Sequence, residues 1–227
     1  MISTTGKILL ACLTATLICP LIGWSDTVTN SVLTEPSPEG KWTVTTGPVF
    51  FHRTISLNYP NNPPYSISAA EDSYGGFAAM ERSICRAASV RFAFLADETT
   101  DFNFATDATE ADETLELSAK LYPLQILPGP TTRFRPYLLV LLQETFYQIS
   151  LTNAGGESQS RDDQSFVGGG CGFDLSLTKR WLLMCEVDYY RSITDVDYRL
   201  TTSLPAVYDY RASEEGFIFR QGLSFRF

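Results

Sequence analysis

The stretch that decides the reading of this chain is Gly216-Phe217-Ile218-Phe219-Arg220-Gln221-Gly222-Leu223-Ser224-Phe225-Arg226-Phe227. Phe217, Phe219, Leu223, Phe225 and Phe227 share one parity, and Arg220, Gly222, Ser224 and Arg226 share the other. Side chains alternate across an extended strand, so this segment presents one greasy face and one polar face. Such a strand separates two environments. The remaining question is which face meets water.

The N-terminus supplies a compartment. Lys7 precedes an apolar run from Ile8 to Trp24, and Gly23-Trp24-Ser25 places small residues at the −3 and −1 positions of a cut before Asp26. Residues 1–25 therefore read as a secretory signal peptide. An uncleaved anchor is the alternative, but the run is short and Pro20 breaks it. A lipoprotein box at Leu9-Leu10-Ala11-Cys12 has too few apolar residues before the cysteine. The full chain carries 17 basic and 26 acidic side chains, and loss of residues 1–25 removes one lysine and no acid, leaving a net charge of −10. So acidic a surface argues against nucleic acid as a partner. Cys85, Cys171 and Cys185 remain, without a CxxC pair, and make neither a disulfide framework nor a zinc site. Cys171 and Cys185 could face each other across a hairpin, but read more simply as small apolar side chains.

Residues 26–40, rich in Ser, Thr and Pro, read as a short periplasmic lead-in, and residues 41–227 as one all-β domain. Eight strand-like segments follow, at about 42–57, 75–84, 89–96, 114–123, 134–152, 165–177, 181–193 and 215–227. Their connections alternate: Cys85–Ala88, Leu124–Arg133 and Thr178–Arg180 are shorter, and the others are longer and polar. Short turns on one rim and long loops on the other describe an eight-stranded antiparallel up-and-down transmembrane β-barrel. Val167, Cys171, Phe173, Leu175 and Leu177 oppose Gly168, Gly170, Gly172, Asp174 and Ser176. Trp181, Leu183, Cys185, Val187 and Tyr189 oppose Glu186, Asp188 and Tyr190. Charges held mid-strand suit a polar lumen better than a protein core. The first segment fits less well, because Arg53 shares the parity of Phe51 and Ile55. A bulge near Gly47-Pro48 or a rim position for Arg53 is expected to resolve this.

Leu115–Pro123, Arg135-Pro136-Tyr137-Leu138-Leu139, the glycine-rich Gly168–Asp174 leading through Thr178-Lys179-Arg180-Trp181 into Glu186–Tyr190, and the closing Gly222–Phe227 together resemble the bacterial outer-membrane β-barrels of the OmpA/OmpX type, with OmpW-like relatives. The resemblance covers roughly the last half of the chain. It implies the outer membrane of a Gram-negative bacterium, a monomer, and partners in outer-membrane lipid, lipopolysaccharide and the assembly machinery, which reads the final aromatics Phe225 and Phe227. The fifth strand departs from the family, since Leu138–Leu142 replaces a glycine-interrupted pattern. No peptidoglycan-binding domain follows, so an anchoring role is not implied.

Glu116, Lys120, Glu144, Asp174, Glu186, Asp188, Arg220 and Arg226 are expected to point into the barrel as a lumen charge network. They would plug the interior, or gate a conduit by exchanging partners. The single histidine, His52, could join Ser56 and a carboxylate in a hydrolytic relay, but its spacing matches no hydrolase motif. No catalytic residues, metal site or cofactor are therefore assigned. The segment Asp97–Glu113 carries seven acids, no base and no glycine, and reads as a solvated acidic loop rather than a calcium loop. Tyr198, Tyr208 and Tyr210 form either a contact surface for a host or phage ligand or an extended hairpin. The expected function is structural or surface-interactive, in adhesion or defence. A narrow channel for small or hydrophobic solutes is the alternative, and a lipid hydrolase the third reading.

Overall fold

The computed structural model describes residues 41–59, 65–101, 107–126, 133–153, 156–194, 196–201 and 207–227. The signal peptide and lead-in expected over residues 1–40 lie outside the described residues. Alternation of apolar and polar side chains makes these residues strands: β1 (Trp42–Tyr59), β2 (Tyr65–Cys85), β3 (Ala88–Asp101), β4 (Asp107–Leu121), β5 (Phe134–Asn153), β6 (Gly156–Ser176), β7 (Trp181–Ser192), β8 (Val196–Thr201) and β9 (Val207–Arg226). Each pairs antiparallel with its neighbour, and β9 pairs back to β1. The β7 and β8 segments pair with successive parts of β9, so together they make one stave interrupted after Ser192. The result is a closed eight-stave barrel. Its seam is completed by mutual backbone hydrogen bonds between Trp42 and Phe227, at 3.0 and 3.3 Å.

The register fixes the shape. From Val44 the paired positions run through Met80, Phe92, Leu117, Leu142, Val167, Arg191 and Glu215, and return to β1 at Thr54. One circuit thus climbs ten residues, which requires tilted staves. No register shift occurs along the β1–β9 seam near Gly47 and Pro48. The bulge expected there is absent.

Exposure is inside out relative to a water-soluble protein. Val44, Met80, Val90, Phe92, Phe94, Leu115, Leu117, Leu138, Val140, Leu142, Val167, Val187, Phe217 and Leu223 lie on the outer surface. Arg91, Glu116, Lys120, Glu186, Asp188 and Arg220 are buried inside. No helix among the described residues is long and apolar enough to cross a membrane, so any crossing is made by strands. Trp42, Phe134, Trp181, Phe225 and Phe227 mark the lower edge of the greasy belt; Phe50, Tyr74, Phe146, Tyr189 and Phe217 mark the upper edge. Ring pairs knit each edge: Trp181–Phe225 at 5.0 Å below, Phe50–Tyr74 at 4.8 Å and Tyr189–Phe217 at 5.3 Å above. On β1 Trp42 and Phe50 are eight residues apart, and Trp42 and the first ionisable position above, His52, ten, or roughly 20 to 25 Å at the tilt of a small barrel. That matches a transmembrane belt.

Near the upper edge every stave carries an outward ionisable residue. In order round the barrel these are His52, Asp72, Glu98, Glu113, Glu144, Asp163, Arg191 and Glu215. This collar follows the upper edge of the belt, with Phe146 of β5 reaching past Glu144.

The expected acidic loop is corrected. β3 runs on to Asp101 and β4 begins at Asp107, so most of Asp97–Glu113 is paired strand, with residues 102–106 outside the described residues. Alternation turns Asp97 and Asp112 inward and Glu98 and Glu113 outward. Tyr198 pairs with Tyr210, and Tyr208 with Leu200, in the hairpin of β8 and β9.

Candidate functional site

The chemistry-bearing side chains converge in the lumen, in three charged nests separated in part by apolar side chains. The lowest nest lies at the end with the short turns. Lys120 Nζ is 2.8 Å from Glu81 Oε2, and the Tyr122 hydroxyl donates to Glu81 at 3.1 Å and to Asp174 at 3.0 Å. The Arg135 guanidinium lies 4.3 Å above the Tyr122 ring, and Lys120 lies 4.2 Å above that of Tyr137. A small polar pit opens here among Thr45, Glu81, Lys120, Arg135, Asp174 and Arg226.

The middle nest crosses the barrel. Arg91 on β3 forks onto Glu186 on β7, the opposite stave, through two hydrogen bonds of 2.7 Å. Arg220 on β9 reaches Glu116 on β4, again on the opposite side. Each guanidinium also holds the other's carboxylate at 2.7 Å: Arg91 with Glu116 and Arg220 with Glu186. Asp188 lies 3.3 Å from Arg220, Tyr137 donates to Glu186 at 2.8 Å, and the Gln143 amide donates to Glu116 at 3.0 Å. Taking these ions out of water costs several kcal/mol each, and such a cost is offset only where nearly every donor and acceptor is met. Two forked arginines sharing two carboxylates meet that condition for Arg91, Glu116 and Glu186, while Arg220 Nε and both carboxylate oxygens of Asp188 have no hydrogen-bond partner among the described residues.

Glycine makes room for the nest on β6. Gly168, Gly170 and Gly172 face inward, and a Cβ on each would collide with neighbouring strand backbone and with Leu141, Asp188 and Tyr137 respectively. Above the nest lies an apolar layer of Val49, Phe51, Phe77, Leu95, Phe166 and Ile218, each at most 4% exposed. The third nest sits over that layer. Arg53 is bonded to Asp97 and Asp112, donates to Ser73 at 3.0 Å and lies 4.0 Å from Glu214. Tyr190 and Tyr147 donate to Glu214 at 2.6 and 2.9 Å.

Of the residues expected inside, Glu116, Lys120, Asp174, Glu186, Asp188, Arg220 and Arg226 are buried on the lumen side. Glu144 is not. It shares the outer parity of Leu142 and Phe146, accepts a hydrogen bond from Ser165 at 2.6 Å and belongs to the collar, while Gln143 takes the inward place. The reason is that β5 is apolar on both faces between Leu138 and Leu142, with Leu139 and Leu141 inside, so parity could not be read there. Arg53 corrects the other way. It is 3% exposed and inward, because Val49 and Phe51 on its face belong to the apolar layer rather than to lipid. Glu81, Arg91, Asp97, Asp112, Arg135 and Glu214 were not singled out. Arg91 was legible, since Val90, Phe92 and Phe94 declare the outer face of β3.

Other candidates do not assemble. His52 Nδ1 pairs with Asp72 Oδ1 at 2.6 Å on the outer surface, but Ser56 bonds to Ser68, four residues farther along β1. Among the described residues no group of three or more His, Cys, Asp or Glu is arranged to hold a metal ion. Cys85, Cys171 and Cys185 are free thiols. Phe225 and Phe227 stand at the lower edge with their rings 6.4 Å apart.

Neither a family model nor a curated protein sequence matches this chain. Among solved structures it is similar to the outer membrane protein OprG from Pseudomonas aeruginosa, at 12% identity over 85% of this chain and 98% of that one, with a TM-score of 0.58. This chain has the fold of the bacterial outer-membrane β-barrels. Fainter likenesses, at 10% identity and a TM-score of 0.47, are to Ail, the attachment invasion locus protein of Yersinia pestis, and to the outer membrane protease OmpT from Escherichia coli. They cover 83% of this chain and 99% of Ail, and 87% of this chain and 100% of OmpT. At such identities the likeness concerns the fold, and the outer-membrane barrel supplies the frame in which its charges act.

Proposed function

We propose that this outer-membrane barrel is a closed, non-enzymatic scaffold that strengthens the membrane and presents its long hairpins outward for adhesion or defence. The observation that carries the reading is the pair of arginine crossbars, Arg91 to Glu186 and Arg220 to Glu116, roofed by an apolar layer. An eight-stranded barrel leaves an interior just wide enough for side chains to fill, and these side chains fill it. Strands of 20 and 21 residues in β5 and β6 exceed the 9–11 that a bilayer crossing needs. The surplus projects beyond the collar, where a host surface, phage or lipopolysaccharide is within reach. The separation of Ser56 from the His52–Asp72 pair argues against the hydrolase reading.

Single-channel recording in planar bilayers tests the proposal. The purified protein should insert without discrete conductance steps. Reproducible steps with small ions or accumulation of small solutes in loaded vesicles would favour the channel instead.

A further inference from the structure

The two rims of the barrel carry opposite charge. The upper collar holds six carboxylates against Arg191 and His52. The lower rim is built otherwise. Arg82, Arg133, Lys179 and Arg180 are exposed there, and Lys41 and Arg86 are half-buried. No exposed Asp or Glu stands among them within the described residues, because Glu81 and Asp174, the acids at that level, are turned inward.

These cations are held at the boundary of the greasy belt. The Arg82 guanidinium lies 5.4 Å above the Trp42 ring, and Arg86 Nε donates to Gln125 at 3.2 Å. Arg180 precedes Trp181, whose ring packs on Phe225, and Arg133 precedes Phe134, whose ring lies 5.1 Å from Phe173. Each aromatic sits where lipid tails meet headgroups. A guanidinium or ammonium beside it is therefore at phosphate depth. A planar guanidinium matches two phosphate oxygens, and an ammonium serves as a point charge.

We propose that this basic rim is a binding surface for anionic phospholipid headgroups of the leaflet that faces the short turns, with phosphatidylglycerol as the chemical type. The surface is continuous with the belt that already covers the acyl chains, so one lipid satisfies both at once. The inference rests on the membrane reading of the barrel. It goes beyond that reading by naming which leaflet lipid the chain selects and which residues select it.

The test uses the protein purified from outer membranes and reconstituted in bilayers of phosphatidylcholine. Brominated phosphatidylglycerol or brominated phosphatidylethanolamine is titrated in, and quenching of Trp42 and Trp181 gives a relative binding constant. The wild type should prefer the anionic lipid. The triple variant Arg133→Gln, Lys179→Gln, Arg180→Gln should lose roughly tenfold or more of that preference, since each basic side chain at an anionic surface is worth about fivefold. Arg82 is left in place because it lies on Trp42. The collar variant Glu98→Gln, Glu113→Gln should keep the wild-type preference. High salt should weaken the preference of the wild type and of the collar variant alike, and change that of the triple variant least.

Equal quenching by the two lipids in the wild type, or an unchanged preference in the triple variant, overturns the proposal. So does a preference lost equally in the collar variant. A heat-modifiable gel shift, run in parallel, separates this failure from that of the underlying reading: a chain that shows no folded band is not a barrel at all.

Discussion

β6 with β7 and β1 obey the same alternation, yet the first two show their lumen face in the sequence and the third hides it. Over 168–174 of β6 and 186–188 of β7 the inward residues are Gly168, Gly170, Gly172, Asp174, Glu186 and Asp188, polar or side-chain-free, because these stretches face the two lower nests; Phe166, Leu182 and Met184, inward on the same staves, are apolar. In β1 the inward residues are Thr45, Val49, Phe51 and Arg53, passing through the apolar layer and then into the upper nest. Parity says which residues share a face; it does not say which face is wet. The lumen of this barrel is stratified, so a stave looks greasy on both sides over the stretch that crosses the apolar layer, as β1 does at Val49 and Phe51 and β9 at Ile218.

Three substitutions sharpen that comparison, each read by urea unfolding of the folded barrel. Arg220→Leu should have the largest effect, a loss of about 3–5 kcal/mol, because it leaves Glu116 and Glu186 buried with half their compensation. Phe166→Ala should cost about 3 kcal/mol by opening a cavity in the apolar layer. It should also admit brief ionic leaks in planar bilayers, because the layer seals the lumen above the crossbars. Glu144→Gln should do least, shifting stability by less than about 0.5 kcal/mol, as expected of a collar residue outside the lumen. An effect of Glu144→Gln as large as that of Glu116→Gln would return Glu144 to the interior.

The fold was legible because two signals reinforce each other. Alternating loop length identified one rim, and clean parity in β6, β7 and β9 identified a charged interior. Seven of eight predicted lumen charges lie inside, while Glu144 was misplaced for want of a polar neighbour in Leu138–Leu142. What could not be read depends on contacts distant in sequence. Asp97 and Asp112 appear in a run of acids that composition reads as a solvated loop, and only Arg53, 44 residues from one and 59 from the other, reveals them as its partners. The crossbars span 95 and 104 residues, and no local pattern announces them. The collar was hidden for a similar reason. Its eight positions align only after the register climbs ten residues round the barrel.

The central claim is that the wet face of β1 points inward, into a lumen built in layers, and Arg53 tests it most directly. Arg53→Leu should destabilise the barrel in urea unfolding by about 3 kcal/mol or more, leaving Asp97, Asp112 and Glu214 buried without their cation. If Arg53 instead faced lipid, removing a cation from the outer surface would stabilise the barrel by up to about 2–4 kcal/mol. A gain in stability would contradict the account.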